Sequence, residues 1–106
     1  MKLNPAVFVV LCFATYFAPS ATAQSSGQDI YKAKCMMCHG PDGLGNTPAG
    51  KLAKIVSYKD PSIVNHSDAE LTTIIKTGKN KMPSFATKLS DDQISAVVAY
   101  IRSLQK

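Results

Sequence analysis

No apolar run in this 106-residue chain reaches the roughly 20 residues that crossing a bilayer takes; the longest, residues 6–18, is already interrupted by Thr15. No segment of the chain repeats another, so a single domain is expected. Cysteine and histidine are scarce, with Cys12, Cys35, Cys38, His39 and His66 as the whole supply. Basic residues outnumber acidic ones, 12 to 7, yet nowhere do they cluster with aromatics as nucleic-acid recognition requires. A net charge of +5 therefore points to acidic partners and excludes nucleic acid as the expected one.

The apolar run has a different use. Lys2 precedes it and Pro19-Ser20-Ala21-Thr22-Ala23 follows it, giving the basic start, apolar centre and A-x-A end of a secretory signal peptide. Cleavage after Ala23 is expected, leaving residues 24–106 as the working domain, exported and without stable membrane insertion. Cys12 leaves with the leader; Leu11 before it and its place inside the run do not suit lipidation. Loss of Lys2 lowers the charge to +4, 11 basic residues against 7 acidic.

What remains is dominated by Cys35-Met36-Met37-Cys38-His39. Residues three and four apart share a helix face, so both sulfurs and the imidazole can approach one flat ligand. Two thiols suit addition to the two vinyl groups of haem, and the imidazole suits the iron, so the run reads as a c-type haem attachment site. Structural zinc would need four protein ligands, and the mature chain offers only His66 beyond the motif. A thioredoxin-like pair would need a strand and a βαβ pattern, and a disulfide across so short a loop would stabilise little. A domain this small usually needs a staple, which covalent haem supplies; the apo chain should be largely unfolded.

Helical signals surround the motif. Ser26 with Asp29 opens a first helix that runs through it to Gly40. Residues 41–50 are rich in glycine and proline and predict loop throughout, with a helical turn over 51–56 and irregular chain over 58–65 around Pro61. Ser67 and Glu70 predict a capping box for a helix carrying Leu71, Ile74 and Ile75 and ending at Gly78. Ser90 with Gln93 opens the last helix, whose Ile94, Val97, Val98, Ile101 and Leu104 keep the spacing of a buried face.

Iron held by one imidazole leaves a second axial position, which separates electron carriers from ligand binders and peroxidases. Met1 belongs to the leader, and Met36 and Met37 are confined to the attachment turn, so Met82 is the expected ligand, in a loop stiffened by Pro83. His66 is its rival; Lys79 and Lys81 are replacement ligands only at high pH, once deprotonated. Thioether ligation favours reduced iron and suits a carrier.

Cys35-Met36-Met37-Cys38-His39-Gly40, Lys81-Met82-Pro83 and Tyr100-Ile101-Arg102-Ser103-Leu104 stand in the order found in class I c-type cytochromes, the small monohaem electron carriers, which the whole mature chain resembles. The resemblance implies an all-α cytochrome c fold, three to four short helices around one covalently bound haem c and its iron, with the first and last helices crossing. Gly27 and Tyr31 then match the crossing positions against Val97 and Tyr100. Pro48 is similar to the proline whose carbonyl receives the ring N–H of the iron-ligating histidine, with Pro41 as competitor. Tyr58 matches the donor to a haem propionate, or else leaves its hydroxyl in solvent. The short middle region resembles compact bacterial and photosynthetic members, which implies a monomer in the periplasm or thylakoid lumen. Lys32, Lys34, Lys76, Lys79, Lys81 and Lys88 are the expected rim for acidic docking surfaces on a reductase and a terminal acceptor. The competing readings are a haem peroxidase or gas binder with an open distal site, and a haem subunit of a larger oxidoreductase.

Overall fold

The computed structural model describes residue 14 and residues 26–106; the expected leader otherwise lies outside the described residues. Six helices follow in order: α1 (Gly27–Lys34), α2 (Met36–His39), α3 (Pro48–Leu52), α4 (Pro61–Val64), α5 (Asp68–Thr77) and α6 (Asp91–Leu104). Among the described residues the only extended pairing is an isolated bridge between Lys79 and Met82.

The count exceeds the expected three to four for local reasons. The first helix is interrupted at Cys35, so the attachment turn is a separate element. Residues 41–50 are not loop throughout, and 58–65 is not irregular: in each a proline opens a one-turn helix. Proline's missing N–H costs nothing at the first helical position, and its φ is already helical. The preceding residue completes each start, Thr47 accepting from the Gly50 N–H and Asp60 from the Ser62 N–H.

α1 and α6 cross as expected. Gly27 is required there by contact, since a Cβ would lie 2.1 Å from the Ala96 carbonyl oxygen. The Tyr31 ring packs on Tyr100 with centroids 5.1 Å apart, and Ile94 and Val97 beneath are fully buried. Burying a side chain of that size contributes about 1.5–3 kcal/mol, so this crossing anchors the domain. The α6 capping box forms in full, Ser90 and Gln93 each satisfying the other's backbone N–H. At Ser67 only half forms: its hydroxyl accepts from Glu70 N–H, while the Glu70 carboxylate turns to His66 Nδ1 at 2.7 Å. This contact takes the place of the reach back to the Ser67 amide and holds the Glu70 carboxyl below its usual range.

Arg102, near the end of α6, ties down the chain between α4 and α5. Its guanidinium donates to Asp68 Oδ1 at 2.9 Å, to the Val64 carbonyl at 3.3 Å and to the His66 carbonyl. Gln105 then donates to the Tyr58 carbonyl at 3.0 Å, so the C-terminal turn of α6 fixes the segment that faces the site.

Candidate haem site

The attachment turn is held by its own carbonyls. The Cys38 carbonyl accepts from Thr47 Oγ1 at 2.8 Å, that of His39 from Gly45 N–H at 2.8 Å, and that of Gly40 from the Tyr31 hydroxyl at 2.6 Å. The loop after the motif thus folds back over it, and α1 clamps its far end. Each bond satisfies a carbonyl that the end of a short helix would otherwise leave without a partner.

Cys35, Cys38 and His39 line a cleft of about 430 Å³ that Met82 and Pro83 also line. Tyr58, Leu71, Ile75 and Phe85 bring core residues to the same walls, so the lining is predominantly apolar. The two thiols and the imidazole thus share one space with the distant thioether. His66, the rival ligand, does not line it and is engaged with Glu70.

The donor set fits a covalently held haem. Both cysteines are free thiols, not a disulfide. Burial, reinforced by Cys38, pushes the Cys35 thiol up to about 11, so it is kept protonated at neutral pH. Burial also holds His39 below its usual value, so its imidazole is neutral, as metal ligation requires. Its Nδ1 is buried without a hydrogen-bond partner. A buried polar atom is rarely left so; with iron taken at the other ring nitrogen, this one would keep its proton and would still need an acceptor.

The expected bond from that nitrogen to the Pro48 carbonyl is not among the contacts of this structure, in which Pro48 is the first residue of α3. Pro48 is exposed and absent from the cleft lining, as is Pro41. Tyr58 is not the solvent-facing tyrosine of the second alternative: it is buried, and its ring stacks on His39 with centroids 4.9 Å apart. Burial, with Tyr31 adding to it, pushes its hydroxyl well above the ordinary phenol range.

Of the expected lysine rim, Lys34, Lys79 and Lys81 line the cleft, joined by Lys54, which sequence reasoning passed over. Lys76 is paired with Asp91 at 2.7 Å, and Lys88 lies 5.5 Å over the Phe85 ring. No acidic residue lines the cleft. Sequence reasoning also missed Thr47 and the hydroxyl of Tyr31. The first had a signal, a threonine directly before a proline, the pairing of helix cap and first residue. The second had none, since a hydroxyl on a core tyrosine leaves no periodic trace.

Residues 22–101 match the family model described as cytochrome c oxidase, cbb3-type, subunit III. The cytochrome c6 of Pyropia yezoensis is 31% identical over 104 residues, covering 96% of this chain and 92% of that protein. Among solved structures, the KustC0563 c-type cytochrome is similar at a TM-score of 0.70 with 28% identity, covering 76% of this chain and 99% of its own. Cytochrome c6 of the diatom Phaeodactylum tricornutum is similar at a TM-score of 0.57 with 29% identity, covering 74% and 90% of the two chains. Motif, cleft, fold and relatives agree, and the chain belongs to this family: it is a small class I c-type cytochrome with one covalently attached haem c and its iron as cofactor.

Proposed function

We propose that this cytochrome is an exported single-electron carrier whose haem iron is ligated by His39 and Met82. The observation that carries the reading is the shared cleft, where Met82 joins Cys35, Cys38 and His39. Bound there, the haem supplies one-electron oxidation and reduction at iron. Cys35 and Cys38 anchor it as thioethers, and the neutral His39 and Met82 give the iron donors that tolerate both oxidation states. Packed walls built on Leu71, Ile75 and Phe85 exclude water and hold the ligands in one geometry. Beyond these ligands, the lysines and Tyr58, the cleft lining offers no ionisable side chain, which supports the carrier reading.

The surface around the cleft supports docking on acidic partners, a reductase on one side and a terminal acceptor on the other. Four lysines and no carboxylate line it, and Met37 and Val56 add exposed apolar area. Charge of one sign around a small apolar contact suits fast, short-lived encounters. A redox titration of the exported holoprotein with its optical spectrum tests the whole reading. The methionine–iron charge-transfer band in the oxidised form and a raised potential are the expected result. A spectrum without that band, with small ligands binding iron at once, would overturn it in favour of an open-site peroxidase or gas binder.

A further inference from the structure

The loop carrying Met82 belongs mechanically to α5. Lys79 and Met82 exchange backbone bonds of 3.1 and 2.9 Å, Phe85 N–H donates to the Ile75 carbonyl at 3.0 Å, and Ala86 N–H to the Lys76 carbonyl at 3.2 Å. The α3 segment belongs instead to the attachment turn, through the Thr47–Cys38 and Gly45–His39 bonds. Both bodies line the cleft. Among the described residues one hydrogen bond joins them, from Lys81 Nζ to the Leu52 carbonyl at 3.3 Å.

That carbonyl is the one α3 leaves over. The Ala49, Gly50 and Lys51 carbonyls accept from Ala53, Ile55 and Lys54 N–H, and Lys54 then turns left-handed at φ 55°, taking the chain away from Leu52. A helix end without a partner favours a cationic donor, and the Lys81 ammonium supplies it.

We propose that Lys81 is a positioning residue for the haem ligand next to it: its bond to the Leu52 carbonyl clasps the methionine loop to the α3 wall and sets how readily Met82 gives way to another ligand. The inference rests on the reading of Met82 as axial ligand. Without the clasp, the loop opens with α5 as its only anchor, while the fold, built on the α1–α6 crossing, is untouched.

Imidazole titrated against the oxidised holoprotein at neutral pH reads the opening directly. Lys81→Ala should bind it about three- to tenfold more tightly than the parent, the size of one lost hydrogen bond of ordinary net worth, as suits an exposed site. Lys81→Arg, which keeps a donor, and Lys79→Ala, which removes a neighbouring charge but no such bond, should stay within about twofold. An unchanged thermal unfolding midpoint in Lys81→Ala would place the effect in the loop. Parental affinity in Lys81→Ala, or an equal rise in Lys79→Ala, would overturn the clasp. A parent protein that lacks the methionine–iron band overturns the ligation reading itself, and the clasp with it, and is told apart by its spectrum before any variant is made.

Discussion

The Tyr31 hydroxyl donates to the Gly40 carbonyl at 2.6 Å, tying the middle of α1 to the residue directly after His39. The bond is buried, and burial pushes the Tyr31 hydroxyl up to about 12 from an ordinary 10.0. A folded-state value above the unfolded one gives stability that is complete below pH 10.0 and is lost as pH rises toward about 12, because only the unfolded tyrosine ionises in between. A shift of that size corresponds to about 2–3 kcal/mol. Tyr31→Phe should lower stability at neutral pH by about 1–1.5 kcal/mol, the value of the lost bond. The variant should also lose stability less steeply between pH 10 and pH 12. Denaturant unfolding followed by far-UV circular dichroism across that range checks both.

Helix starts and buried faces were legible because they are written locally. Ser26, Ser67 and Ser90 cap where a small hydroxyl precedes an apolar period, and Ile94, Val97, Val98 and Ile101 are buried as their spacing requires. That Cys35, Cys38, His39 and Met82 would come to one place was equally legible, since chemistry limited the choice to a few cysteines, histidines and methionines. The two short helices were missed because proline was weighed as a breaker, not as a first residue. Tyr31–Gly40, Arg102–Asp68 and Lys81–Leu52 join residues far apart in sequence, and no local pattern encodes which partner a polar side chain meets.

Gly27→Ala tests the helix crossing. The added methyl meets the backbone of Ala96 at 2.1 Å and of Val97 at 3.2 Å, and backbone cannot rotate aside as a side chain can. The two helices must separate, which costs about 1–3 kcal/mol in a packed core. The haem ligands sit elsewhere, so the oxidised spectrum should keep its methionine band while the unfolding midpoint falls.

Arg102→Ala removes three donors at once from the chain between α4 and α5. The Asp68 partner is exposed and that pair contributes little; the loss comes from the carbonyls of Val64 and His66, left without their donor. A fall of about 1–3 kcal/mol is expected. Hydrogen exchange should rise over residues 58–68 before it rises in α1. Arg102→Lys should recover only part of this, since one ammonium cannot reproduce a planar fork with several donors.

Gly78 ends α5 at φ 76° and ψ 168°, a region that essentially only glycine occupies. A Cβ there would also lie 2.7 Å from the Met82 carbonyl oxygen and 3.0 Å from Pro83 and Ser84 backbone atoms. Gly78→Ala therefore carries two costs, about 1–3 kcal/mol of backbone strain and a displaced methionine loop. Gly78→Asn should fare no better, because asparagine tolerates the left-handed helical region and not this extended one. Both variants should weaken the methionine–iron band and lower the potential while α6 keeps its exchange protection. Retention of the parental band in either variant would mean that the loop reaches the iron without depending on this turn.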